Sequence, residues 1–220
     1  MKNIKTKRFV VNAIAAALLG GSLTACIPLI MGGAVVGGTL VASDRRTSGA
    51  QLEDEGIELR SNSRIRNNVG DRVHINVNSY NRQVLLTGEV PSAQDKLLVE
   101  QLVAKVENVT SVVNELGILG NSTLTQRSSD VLVTGRVRAM LVDGKDLFAN
   151  SFKVVTERGI TYMMGRVTQR EADRGTAVAR GTPGVQKVVR IFEIVSEEEL
   201  ARQLPAPAKP PAQSPPSVTQ

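Results

Sequence analysis

The chain of 220 residues contains one cysteine, one histidine and no tryptophan, and aromatic residues make up only 3% of it. A single cysteine, Cys26, excludes an intramolecular disulfide. In an oxidising compartment its remaining uses are an intermolecular bridge, a free thiol or covalent modification. A single histidine, His74, gives little support to a hydrolase, because a lone histidine on a strand reads as a packed or solvated residue rather than a general base. The ligand cluster that zinc needs is absent from the sequence pattern, so no metal and no cofactor are expected. The glycine-rich stretch 31–40, MGGAVVGGTL, has neither dinucleotide-binding nor P-loop spacing, and reads as a flexible tether. Asp143-Gly144-Lys145-Asp146 lacks the remaining calcium-loop positions and reads as a turn. No catalytic residue emerges, and the protein is expected not to be an enzyme.

Acidic residues are also missing from the N-terminal region, where none occurs before Asp44. Lys2, Lys5, Lys7 and Arg8 precede an apolar run from Phe9 to Leu19, the length of a signal-peptide core. Small residues follow, and Leu23-Thr24-Ala25-Cys26 then resembles the bacterial lipobox, whose cysteine becomes the acylated first residue after cleavage. An uncleaved membrane anchor over 9–43 is the alternative. Pro28 and the glycines at 20, 21, 32, 33, 37 and 38 make that a poor helix. Cys26 is therefore read as a lipidation site, residues 1–25 as signal peptide and 26–52 as acylated cysteine plus tether. Cleavage removes four basic residues and lowers the formal charge from +6 to +2. Overall basicity then no longer points to nucleic acid. Residues 54–119 carry seven basic and nine acidic side chains, whereas 127–195 carry twelve and seven. Two units of different charge are implied.

An internal repeat confirms two units. INVNSYNRQVLLTGEV (75–90) aligns without a gap on FKVVTERGITYMMGRV (152–167), each reading as two strands about a polar turn. Gly88 falls on Gly165 and Val90 on Val167, positions suited to close helix approach or a bulge. NVTSVVNEL (108–116) matches GVQKVVRIF (184–192) as a third strand. Helical stretches 92–106 and 169–180 lie between, and SRIR (63–66) pairs with GRVR (135–138) in a helix upstream. Each unit reads helix, strand, strand, helix, strand. The predicted fold is α+β, two small αββαβ sandwich domains with helices on one face of each sheet. The expected boundaries are 53–119 and 128–196, with a linker at 120–127 and a disordered proline-rich tail at 197–220, in which Glu197-Glu198-Glu199 marks a helix start or solvated charge. The middle strands are apolar on both faces, as expected if the two domains pack together.

The upstream helix of the second unit is expected over Asp130–Val142, with Ser128-Ser129 available as its cap. At about 100° per residue, Val133, Val137, Met140 and Leu141 share the core face, with Val137 opposite Ile65 and Leu141 opposite Val69 of the first unit. Val131, Leu132, Gly135, Ala139 and Val142 fall on the other face, flanked by Arg136 and Arg138. The first unit shows Arg60, Ser63 and Asn67 there, with Leu59 at the margin. A second apolar face edged with guanidinium groups suits a phosphate-bearing surface.

The repeated unit, with its strand-Gly-x-Val segment and its Gly-Val-x-x-Val entry to the last strand, resembles the BON domain. Lipobox, Gly-rich spacer, Asp44-Arg45-Arg46-Thr47-x-Gly49-Ala50-Gln51 and two such units together resemble the dual BON-domain outer-membrane lipoproteins of Gram-negative bacteria. The resemblance implies a non-enzymatic periplasmic protein, lipid-anchored in the outer membrane, supporting envelope integrity. Ile27 stands where an aspartate would imply inner-membrane retention. The resemblance also implies binding of anionic phospholipid, phosphatidylglycerol or cardiolipin, through that second-unit helix. The residues expected to make the contact are Val131, Leu132, Gly135, Arg136, Arg138, Ala139 and Val142. Relatives often carry an aromatic residue near Val131; this chain does not. The alternative is an adaptor in which the same face docks an outer-membrane assembly or cell-wall amidase-regulating protein.

Overall fold

A computed structural model describes residues 44–203. The expected signal peptide, Cys26, the first part of the tether and the tail beyond Gln203 lie outside the described residues. Within them the chain runs α1 (Ser48–Val69), β1 (His74–Tyr80), β2 (Gln83–Val90), α2 (Ala93–Ala104), β3 (Ser111–Asn114), β4 (Gly117–Ile118), α3 (Leu124–Asp143), β5 (Phe152–Glu157), β6 (Ile160–Val167), α4 (Gln169–Gly181), β7 (Lys187–Ile194) and α5 (Glu197–Gln203).

The same local chemistry builds both units. Each hairpin closes through two left-handed residues, Asn81-Arg82 (φ 49° and 67°) and Arg158-Gly159 (φ 52° and 74°). That conformation matches the right-handed strand twist and fixes the registers Tyr80↔Gln83 and Glu157↔Ile160. β3 and β7 then pair in parallel with β2 and β6 after the crossover helices α2 and α4. Neither expected cause, helix approach or a bulge, accounts for the two glycines, through which both registers run continuously. A β-carbon on Gly88 would lie 2.1 Å from the His74 carbonyl oxygen, and one on Gly165 would lie 2.3 Å from that of Ser151. It is the chain entering the first strand, not a helix, that crowds them.

One buried aspartate per unit fastens the leading helix to its hairpin. Asp54 of α1 accepts from the Asn81 and Arg82 backbone amides, each at 2.8 Å, and from Ser79 Oγ at 2.6 Å. Asp130 of α3 accepts from the Arg158 and Gly159 amides at 2.8 and 2.9 Å. The shared role corrects the helix register read from sequence. Asp54 corresponds to Asp130, so Ile57 falls on Val133 and Ile65 on Leu141, and the match of SRIR with GRVR is displaced by about one turn. Such a displacement leaves every side chain near the same azimuth, so the apolar pattern alone does not detect it. Val133, Val137 and Leu141 are buried as expected, whereas Met140 is 46% exposed, at the margin of that face.

Three apolar clusters hold the body together. Ile57, Ile65, Val84, Leu86, Val99 and Val103 pack α1 and α2 against one face of the first sheet. Val133, Val137, Leu141, Val154, Met163 and Ala179 do the same for α3 and α4 in the second. The opposite sheet faces meet through Tyr80, Leu85, Tyr162, Met164 and Ile191. The two sheets are therefore inner layers with helices outside, which explains why β2 and β6 are apolar on both faces. Leu85 is fully buried in that joint and Met164 nearly so. Each contributes about 1.5–3 kcal/mol relative to exposure.

Candidate functional site

α3 is longer at its start than the sequence pattern suggested. Thr123, not Ser128 or Ser129, caps it, in a box where the Thr123 side chain accepts from Gln126 N and Gln126 Oε1 accepts from Thr123 N. Threonine followed three residues later by glutamine is a legible start signal. The extension brings Leu124 onto the outward face, which exposes Leu124 (79%), Val131 (71%), Leu132 (61%) and Val142 (68%). Gly135, Arg136 and Ala139 are exposed beside them. All seven residues expected on this face are solvent-accessible, but the two arginines differ. The Arg138 guanidinium donates to the Val154 carbonyl at 3.1 Å, which ties it back onto β5. Arg136 leans toward the turn before β7, where a β-carbon on Gly184 would meet its Nη1 at 3.8 Å.

In the corrected register the first unit places Glu55, Gly56, Arg60, Ser63 and Arg66 at the positions of Val131, Leu132, Arg136, Ala139 and Val142. Two leucines, Leu52 and Leu59, are nevertheless exposed there, so that back is polar with isolated apolar residues rather than uniformly polar. The Arg60–Glu53 pair at 2.6 Å lies near them. Among the described residues no helix is long and apolar enough to cross a membrane.

The segment ahead of α1 departs from the tether reading. Residues 44–52 are docked, and α1 already begins at Ser48 behind its Thr47 cap. Arg45 reaches the second unit, donating through both terminal nitrogens to Glu171 at 2.7 Å each and to the Arg166 carbonyl at 3.1 Å, with its guanidinium 5.4 Å from the Phe148 ring centre. Arg46 reaches the first unit, pairing with Asp54 at 2.6 Å and lying 4.3 Å over the Tyr80 ring. Neighbouring arginines thus grip different domains. Burial opposes charge on Glu171, but Arg45 and the Thr168 amide outweigh it and hold the carboxyl below the usual range. Asp44 lines a cleft of about 540 Å³ together with Arg138 and Val142, so the chain enters the body beside the C-terminal end of the α3 face.

His74 occupies a third feature that the sequence pattern did not reveal. The β1–β2 register pairs it with Glu89, and its Nδ1 lies 3.0 Å from Glu89 Oε2. Glu89 also accepts from Arg158 Nη1 at 2.9 Å and from Ser122 N at 3.1 Å. Asn76 Nδ2 donates to Glu157 Oε2 at 2.7 Å. Burial would raise the Glu89 carboxyl, but these donors hold it low. Burial also acts on Glu157 and prevails there, reinforced by Glu89 and Asp130, so that carboxyl is raised. The sequence pattern shows no ligand cluster, yet in the fold potential ligand atoms of His74, Glu89 and Glu157 lie within 4.8 Å of one another. The three are far apart in the chain, and only the hairpin register and the domain joint bring them together.

The model of the BON domain matches residues 53–120 and 129–196. The chain is 35% identical over 183 residues to the outer membrane lipoprotein DolP of Haemophilus influenzae, covering 81% of this chain and 94% of that protein. It is 30% identical over 154 residues to a 21 kDa hemolysin of Actinobacillus pleuropneumoniae, covering 69% and 79% of the respective chains. Neither name describes an enzyme. Among solved structures, the C-terminal domain of CdsD, a structural protein of the type III secretion system of Chlamydia trachomatis, aligns over 69% of this chain and 100% of its own. With 15% identity and a TM-score of 0.27, that likeness carries no argument.

Proposed function

The chain belongs to the family of dual BON-domain outer-membrane lipoproteins, and from that premise we propose that it binds anionic phospholipid through the outward face of α3. In this reading acylated Cys26 anchors it to the periplasmic leaflet of the outer membrane, where it supports envelope integrity and catalyses nothing. The observation that carries the reading is the stripe Leu124, Val131, Leu132 and Val142, each more than 60% exposed on one helix. Full transfer of such a side chain from water is worth about 1.5–3 kcal/mol, and partial insertion at an interface a fraction of that. Each nearby cation adds about 1 kcal/mol at an anionic surface. Arg136 is the exposed cation of the pair that is not tied to a strand carbonyl. Contacts of this size bind weakly alone. They become effective when an acyl anchor raises the local concentration of the face at the bilayer, and the docking of Asp44 beside Val142 favours that geometry.

The test is sedimentation of the acyl-free chain beginning at residue 27 with phosphatidylglycerol or cardiolipin vesicles and with zwitterionic ones. Binding to the anionic set alone, weakened by salt and lost in Leu132→Asp with unchanged circular dichroism, is the expected result. An affinity unaltered by Leu132→Asp would overturn the assignment to α3. Failure to bind either vesicle would leave the face to a protein partner.

A further inference from the structure

The joint between the domains carries a second, chemically distinct feature. A cleft of about 550 Å³ runs between the open edges of β1 and β5, and His74, Asn76, Asp130, Glu157 and Arg138 are among the residues that line it. At one end His74 meets Glu89 and Glu157, two carboxylates that are 0% and 6% exposed. Two of the three come from the first domain and Glu157 from the second. Their charges are unevenly answered: Arg158 pairs with Glu89 at 2.9 Å, whereas Glu157 receives a neutral amide from Asn76. Asp130, 7% exposed and held by the Arg158 and Gly159 amides, lines the same cleft, and Arg127 and Arg138 bring positive charge to it. Buried carboxylates normally meet a cation or a metal.

We propose that this cleft binds one divalent transition-metal ion, with zinc the best match, through an imidazole nitrogen of His74 and one oxygen each of Glu89 and Glu157. The donor set is the nitrogen–carboxylate mixture that zinc accepts, and a cleft opening leaves the fourth position for water. Ligand atoms about 2.0–2.2 Å from a tetrahedral ion lie roughly 3.4 Å apart, so the observed set, within 4.8 Å, needs a closure of up to about 1.4 Å. Arg158 holds Glu89 Oε1; Oε2, which accepts from the Ser122 amide and hydroxyl and faces His74 Nδ1, would exchange the Ser122 hydroxyl for the ion, while the Asn76 amide orients Glu157. The ion would cross-link the two domains at the margin of the hydrophobic joint, where Glu157 pairs with Ile160.

The single histidine makes a direct test possible. The uniformly nitrogen-15-labelled full chain, purified in detergent and stripped with a chelator, is titrated with zinc chloride while the imidazole resonances and the heat of binding are followed. A Cys26→Ser form run in parallel removes any thiol contribution. The expected results are one ion per chain, a saturating shift of one His74 ring nitrogen, and a raised unfolding temperature. His74→Ala and Glu157→Gln should each weaken binding at least tenfold while the metal-free proteins keep native circular dichroism. Unmoved imidazole resonances in the wild-type chain would overturn the proposal without reliance on any variant. Binding that survives both substitutions would also overturn it. In either case the cluster is a hydrogen-bonded latch between domains, and the vesicle experiment is unaffected.

Discussion

Replacing Arg45 by methionine should destabilise the whole two-domain body, although Arg45 lies outside both repeated units. Its guanidinium is 9% exposed and the Glu171 carboxylate 1%, and two 2.7 Å bonds join them. Methionine preserves much of the aliphatic stem but leaves Glu171 charged and buried, with only the Thr168 amide at 3.0 Å and its hydroxyl at 3.2 Å as donors. Removing one partner of a buried pair costs about 3–5 kcal/mol, far more than the pair itself contributes relative to an apolar substitute. For a body of this size, about 2–4 °C of melting temperature is lost per kcal/mol, so a fall of roughly 6–20 °C is expected. The assay is guanidinium and thermal unfolding followed by circular dichroism at pH 7 and pH 4. Because the penalty comes from a stranded carboxylate, it should shrink at pH 4 as Glu171 takes up a proton. Adding Glu171→Gln should recover at least half of it, since glutamine still caps α4 without needing a cation. A loss below about 1 kcal/mol, or no recovery in the double variant, would refute the idea that these residues act as a clasp.

Three further outcomes follow from the same structure. Leu85→Asp puts a charge into the joint with Tyr162 and Met164 and should replace one unfolding transition by two, read by calorimetry. Gly88→Ala combines φ +113° with a 2.1 Å approach to the His74 carbonyl oxygen. It should cost more than the roughly 1 kcal/mol typical of glycine changes, measured by denaturant unfolding. Stability against pH should show two opposed arms. Glu89 and Glu171 have lowered folded pKa values, so their contribution is complete above the unfolded value of about 4.3 and is lost as pH falls through the folded ones. Glu157 is raised, so its ionisation costs stability as pH rises from about 4.3 through its folded value; Glu157→Gln should flatten that arm alone.

The two-unit α+β architecture was legible in the sequence because each of its signals is local. Alternating apolar strands, two-residue turns and repeated glycines recur in both halves, and short-range sterics alone make them hairpins with a fixed register. The outward residues of α3 were legible too, since helical geometry assigns Val131, Leu132 and Val142 to one side whatever lies opposite. Leu124 was within reach through the Thr123-x-x-Gln126 cap signal. The helix equivalence between units was not, because a displacement of nearly one turn preserves the apolar pattern; the bonds from Asp54 and Asp130 to the hairpin turns settle it. Nor was the docking of Arg45 and Arg46 onto the two domains, since their partners Glu171 and Asp54 lie at very different distances along the chain. α5 occupies the start of the expected disordered tail, beginning at Glu197 where the acidic run was read as a helix start or solvated charge, and Arg166 of β6 pairs with Glu199.

What the sequence by itself determined, then, is everything set by neighbours a few residues away: the strands, the turns, the faces of the helices and the lipobox-like run around Cys26. What only the tertiary structure decided is which charges are buried together. Arg45 with Glu171, and His74 with Glu89 and Glu157, are brought together by sheet register and domain packing. Coulombic and hydrogen-bond energies depend on distance in space, which separation along the chain does not record.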